Sequence, residues 1–159
     1  MPRIKRILLS DVCYHVISRG NQRQNVFCCD DDFSHFRKIA WKYKNKFDAK
    51  ILSYCLMTNH IHLLIDPSDK FAINKIMHGI NLAYTKHYNH KYKKCGHLWQ
   101  GRFKSFVISK DSYLLNCVNY IEYNPVRAKI ADKPEDYPWS SYSARMGLTN
   151  DKLLDEIIL

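Results

Sequence analysis

The chain of 159 residues has no apolar run near the eighteen or so residues that cross a bilayer. A membrane-spanning segment is therefore not expected. The start, Met-Pro-Arg-Ile-Lys-Arg-Ile-Leu-Leu, is basic and then briefly apolar, with no long hydrophobic stretch and no small-residue cleavage site. That is not a signal-peptide pattern, and a cytoplasmic location is expected. There is no CxxC pair; six cysteines, at positions 13, 28, 29, 55, 95 and 117, are scattered. Most are expected to be reduced thiols in or near the core, which argues against a disulfide scaffold or a cysteine-based zinc site. Repeats, low-complexity runs and linkers are also missing, so one domain over residues 1–159 is expected.

The most informative absence is of acid. From Lys70 to Lys110 there is no Asp or Glu, but there are nine Lys or Arg and four His. The net charge is +10. A basic surface can serve solubility alone. A basic block interleaved with Tyr, Phe and Trp also suits a phosphate backbone with stacked bases, and nucleic acid is the expected partner.

The pattern of elements is α+β. Residues 11–18 are β-branched and aromatic and predict a strand. Asp30, Asp31 and Asp32 suit a helix N-terminus, and Phe33, Phe36, Ala40, Tyr43 and Phe47 follow at helical spacing. Residues 50–57 and 60–66 predict a hairpin. A second helix is expected over about 71–90, with Ile73, Ile76, Met77, Ile80, Ala83, Tyr84 and Tyr88 on its apolar face. A basic turn at 91–96 leads to strand structure over 98–108. Asp111 is a plausible N-cap for a third helix, with Tyr113, Leu114, Cys117, Val118 and Ile121 as its buried stripe and Pro125 as its stop. A loop region at 130–148 and a short helix at 150–158 close the chain. The first six elements match a ferredoxin-like split βαβ antiparallel sheet with helices packed on it, followed by a C-terminal helix. The second hairpin strand then lies inside the sheet.

That strand opens with His60-Ile61-His62. Residues at i and i+2 of a strand share a face roughly 6 to 7 Å apart, so two imidazoles can converge on one divalent ion. On the third helix, Tyr120 and Asn124 are one turn apart on one face. If that helix packs over the His face, two imidazoles, one carboxamide and a phenol meet. Such a set suits phosphodiester cleavage: a hard ion polarises phosphate and the phenol attacks phosphorus. Taken singly, each piece has a plainer reading: an incidental His pair, a core Tyr, an Asn-Pro turn.

Five stretches carry a resemblance. They are Tyr14-His-Val-Ile-Ser-Arg-Gly-Asn21, Met57-Thr-Asn-His-Ile-His-Leu-Leu64, His97-Leu-Trp-Gln-Gly-Arg-Phe-Lys-Ser105, Tyr120-Ile-Glu-Tyr-Asn-Pro-Val-Arg-Ala128 and Tyr137-Pro-Trp-Ser-Ser-Tyr142. In them the chain resembles the HUH-type single-tyrosine transposases of the insertion-sequence kind, most closely the REP-associated tyrosine transposases. The resemblance implies that His60 and His62 are the HUH pair, Tyr120 the nucleophile and Asn124 the third metal ligand. It implies single-stranded DNA, often next to a hairpin, as substrate, with a 5′-phosphotyrosine intermediate and Mg²⁺ or Mn²⁺ as cofactor. Tyr123 offers a second phenol, but only Tyr120 has an Asn four residues on.

For DNA contacts, Arg19, Asn21, Arg23 and Gln24 lie in a Gly-containing loop after the first strand, suited to reading a backbone and base edges. Lys93, Lys94, Arg102 and Lys104 are expected on phosphates; Trp99 can stack on a base or sit in the core. His15 is expected to be a satisfied sheet residue, and His78, His87 and His90 are assigned no role. Two competing functions are a domesticated module that binds hairpin DNA or RNA without cutting it, and a metal-dependent hydrolase that uses water. The resemblance allows a monomer or a homodimer.

Overall fold

The computed structural model of the chain describes residues 3–159. Four strands form one antiparallel sheet: β1 (Cys13–Arg19), β2 (Ala49–Leu56), β3 (His60–Pro67) and β4 (Lys104–Ile108). Their order is β2-β3-β1-β4. This is the expected ferredoxin-like arrangement, with β3 interior between β2 and β1. The helices are α1 (Asp30–Lys46), α2 (Ala72–Tyr92), α3 (Ser112–Glu122), and the single turns α4 (Asn124–Arg127) and α5 (Tyr142–Arg145).

Strand alternation splits the core in two. Tyr14, Val16, Ile61, Leu63 and Ile65 face α1 and α2, packing on Phe33, Phe36, Ile39, Ile73, Ile76, Ile80 and Tyr84. Each such side chain contributes about 1.5–3 kcal/mol when taken out of water. The two helices approach closely at Gly79: a Cβ there would lie 2.2 Å from the Tyr43 ring. The opposite face carries Cys13, Cys55 and Leu64, covered by Leu114, Cys117, Val118 and Ile121 of α3. A bulge in β2 between Ile51 and Ser53 makes Leu52 an extra residue. Both Leu52 and Ser53 can therefore serve the α3 side.

Glu122, 1% exposed, ties α3 to this face. Its Oε1 accepts from Ser141 Oγ at 2.6 Å, Arg145 Nε at 2.8 Å and Ser53 Oγ at 3.4 Å. Asp111 caps the other end by accepting from the Tyr113 N–H at 2.9 Å, as its position suggested.

Several expectations are corrected. Tyr113 is 66% exposed and lies outside the buried stripe of α3. Only 104–108 of the expected 98–108 strand joins the sheet; the preceding segment wraps back, with Asn21 N–H donating to Leu98 O and Trp99 bridging to Gly20. The second helix runs to Tyr92, and Lys93 closes it in a left-handed conformation, φ 52°. No helix forms at 150–158. Asp151 and Asp155 there bond to distant groups instead: Arg37 at 2.7 Å, Lys44 at 2.7 Å and the Ile51 N–H at 2.8 Å. Those partners hold the segment, which makes a turn at 152–153, against α1 and β2. All six cysteines are free, but Cys28, Cys29 and Cys95 are exposed rather than in the core. Among the described residues, no helix is long and apolar enough to cross a membrane.

Candidate active site

His60, His62 and Leu64 share the sheet face that α3 covers. Their strand pairs Ile17 with His62 and Arg19 with His60 on one side, and Cys55 with His62 on the other. The His60 and His62 rings are 5.1 Å apart, centroid to centroid.

Helix α3 ends at Glu122 and the turn α4 starts with Asn124-Pro125, so Asn124 sits just past the break at Tyr123. There its Nδ2 lies 2.9 Å from His62 Nε2. One turn earlier, the Tyr120 ring is 6.2 Å from that of His62 and 6.0 Å from that of His15. Tyr120 is 50% exposed, so it stands at the rim of the site and not in the core. It also borders an open hollow of about 450 Å³ with Asn116, Asn119, Tyr123 and Arg127. The four groups singled out from sequence are thus brought together. Tyr123 turns to Tyr142 instead, ring centroids 5.7 Å apart.

His15, expected to be a satisfied sheet residue, is that and more: its Nε2 lies 2.9 Å from His62 Nδ1. The signal available in sequence was its strand position, but only the register of β1 on β3 places it beside His62. His60 Nδ1 is 2.6 Å from Asn59 Oδ1. Burial pushes His62 down to about 3, helped by the charges of His15, His60, Arg127 and Arg19. Burial alone brings His15 to about 4. His60 is lowered by burial and then by Arg19. All three rings are therefore neutral near pH 7, the form in which imidazole offers a lone pair.

The donor set fits a divalent ion. Each ring of the pair keeps Nε2 away from its Nδ1 partner, and a half-turn of the Asn124 amide exchanges Nδ2 for Oδ1. Asp31, Asp32 and His87 form a second convergent group. Its place is taken by Lys91, whose Nζ lies 3.1 Å from Asp31 and 3.0 Å from Asp32. His87, assigned nothing from sequence, bonds to Asp32 at 3.3 Å.

The residues expected on DNA divide. Arg19 and Arg23 are exposed beside the His60 end of β3, joined to it where Gly20 N–H donates to Asn59 O at 2.8 Å. Asn21 and Gln24 are half-buried in the same loop, and Gln24 Nε2 donates to Leu98 O at 3.4 Å. Lys93, Lys94, Arg102 and Lys104 are exposed. Of the two roles expected for Trp99, the structure corrects the DNA-stacking one: it is 8% exposed, with its ring 6.0 Å from Tyr84, and packs in the core.

Relatives agree with this architecture. A solved structure of a REP-associated tyrosine transposase bound to a REP hairpin superposes with a TM-score of 0.76 over 100% of both chains, at 17% identity. A crystal structure of a Deinococcus radiodurans protein assigned as a transposase gives 0.53 over 86% of this chain and 98% of that one, at 15% identity. In sequence, a Haemophilus influenzae protein assigned as a REP-associated tyrosine transposase is 28% identical over 127 residues, which is 70% of this chain and 69% of the relative. Residues 9–124, from before β1 to Asn124, match the family described as transposase IS200-like, and the chain belongs to that family of DNA-cutting and rejoining enzymes.

Proposed function

We propose that this chain cleaves and rejoins single-stranded DNA beside a hairpin, through a covalent 5′-phosphotyrosine on Tyr120. The observation that carries this reading is the meeting of Tyr120, His60, His62 and Asn124 at one end of β3, with Asn124 2.9 Å from His62 and the Tyr120 ring 6.2 Å from it. The hairpin-bound solved relative of the same fold supports the choice of substrate.

In the forward step the Tyr120 oxygen attacks phosphorus and loses its proton. The bond from phosphorus to the 3′ oxygen breaks, and that oxygen leaves as a hydroxyl after taking up a proton. The bond energy stays in the phosphotyrosine, so a second 3′-hydroxyl can reverse the step and join a different strand. His60, His62 and Asn124 would hold Mg²⁺ or Mn²⁺. When bound, such an ion polarises the phosphate and stabilises charge developing on it. Neutral imidazole and carboxamide donors leave that ion its full positive charge. Arg19 and Arg23 would guide the strand at the site, and the acid-free surface of Lys93, Lys94, Arg102 and Lys104 would hold backbone phosphates.

The test is to incubate the protein with a hairpin carrying a single-stranded flank, with and without Mn²⁺. A detergent-resistant protein–DNA adduct that requires the ion supports the reading. Tight, salt-sensitive binding with no adduct would leave a binding module. Hydrolysis without an adduct would indicate a water-using hydrolase.

A further inference from the structure

The hydrogen bonds around the His pair run in one direction. A carboxamide oxygen only accepts, so Asn59 Oδ1, 2.6 Å from His60 Nδ1, requires the proton of the neutral ring to sit on Nδ1. That leaves the lone pair of His60 on Nε2. With the Asn124 amide turned so that Nδ2 lies 2.9 Å from His62 Nε2, that nitrogen donates and Nε2 accepts. The proton of His62 is then on Nδ1, from which it donates to His15 Nε2 at 2.9 Å. His15 in turn carries its own proton on Nδ1.

We infer that His15 and Asn59 are positioning residues that lock both site histidines in the Nδ1–H tautomer, so that both Nε2 lone pairs are held ready for a divalent ion. Ligand histidines commonly use the other ring nitrogen in this way, with a carboxylate, carbonyl or water as acceptor. Here one acceptor is a third imidazole. His15 cannot be a ligand through Nε2, since that atom already accepts from His62. It is 7% exposed and its ring stacks on that of His62, centroids 5.2 Å apart at 27°. Both the tautomer and the ring plane are therefore fixed before any ion arrives.

Asn59 has a second consequence. Its backbone oxygen accepts from Gly20 N–H at 2.8 Å and its Nδ2 donates to Arg23 O at 3.5 Å. The orientation of His60 is thus tied to the loop that carries Arg19 and Arg23.

The proposal rests on the metal-site reading above, and its test separates the two. In metal-free protein labelled with ¹⁵N-histidine, long-range proton–nitrogen spectra report each tautomer. Wild type should show Nδ1–H for His60 and His62. His15→Phe should mix the tautomers of His62 and weaken Mn²⁺ binding roughly ten- to a hundredfold. His15→Gln, whose oxygen can accept, should restore most of both. Asn59→Ala should act in the same way on His60, Asn59→Asp should not, and neither change touches the core. An Nε2–H tautomer in wild type, or an unchanged spectrum and Mn²⁺ affinity in both His15→Phe and Asn59→Ala, overturns the proposal. Wild type that shows the tautomers but binds no Mn²⁺ overturns the metal-site reading instead and takes the proposed purpose of the lock with it.

Discussion

The guanidinium of Arg127 lies 4.0 Å from the centroid of the Tyr120 ring, and its Nη2 donates to the Tyr120 carbonyl oxygen. Arg127 ends α4, seven residues after Tyr120, and its long side chain reaches back over the ring. Two bonds to one residue, one through the backbone and one through the ring face, hold the candidate nucleophile at the rim of the site.

Replacing Arg127 should therefore slow the chemistry more than it weakens the fold. An exposed cation–π contact contributes about 0.5–1 kcal/mol to stability. A small misplacement of a nucleophile can cost up to about a hundredfold in rate. Arg127→Ala should lower the single-turnover rate of adduct formation by at least about tenfold, with hairpin affinity reduced far less. Arg127→Lys should not recover the rate, because an ammonium lacks the planar, two-pronged contact. An unaltered rate in Arg127→Ala would show that Tyr120 needs no such support.

Glu122 should matter for stability. Its carboxylate is buried and bonded to Ser53, Ser141 and Arg145. Removing it leaves the Arg145 guanidinium, side chain 19% exposed, without its charge partner. Breaking such a pair costs about 3–5 kcal/mol, so Glu122→Ala should show a loss of that size in urea denaturation. A loss under about 1 kcal/mol would mean that the apolar stripe of α3 suffices to seat it.

Acid should destabilise the fold through the buried rings. In the folded chain His15 and His62 sit at about 4 and about 3. In the unfolded chain both return to about 6.5. Below about pH 6.5 the unfolded state binds more protons, so the stability held by the neutral rings is complete above that pH and is lost as pH falls towards 4 and 3. The urea midpoint should drop between about pH 7.5 and about pH 4.5, and less steeply in His15→Phe. A midpoint that rises on acidification, or the same pH dependence in the variant, contradicts this.

Binding should be strongly salt-dependent. For single strands the logarithm of affinity falls with the logarithm of salt concentration by about 0.7 per phosphate contacted. Alanine at Lys93, Lys94, Arg102 or Lys104 should reduce that slope by about 0.7 for each residue that reaches a phosphate. Anisotropy titrations over a salt series measure it. A slope unchanged in all four variants would place the DNA on another face.

Much of this was legible from the residues. The shared faces of the HxH pair and of Tyr120 and Asn124 followed from strand and helix periodicity, and the sheet order from the order of the elements. What escaped depended on partners distant in sequence. His15 gains its meaning from the pairing of Ile17 with His62, a relation across 45 positions of chain that no local pattern carries. The 150–158 segment has helical spacing, but Lys44, Ile51 and Arg37 bind its acids and win over propensity. Trp99 lies in the basic, acid-free block, yet the return of its segment to Gly20 buries it against Tyr84. Glu122 gave no signal, because a lone acid on a helix is ordinarily solvated.

The central claim is that Tyr120 forms the bond to DNA. The direct measurement is mass spectrometry of the protease-digested adduct, made with a hairpin substrate and Mn²⁺. The account predicts a nucleotide mass on the peptide bearing Tyr120, placed on that side chain by fragmentation, absent in Tyr120→Phe and retained in Tyr123→Phe. A nucleotide on Tyr123, or an adduct that survives Tyr120→Phe, would contradict it.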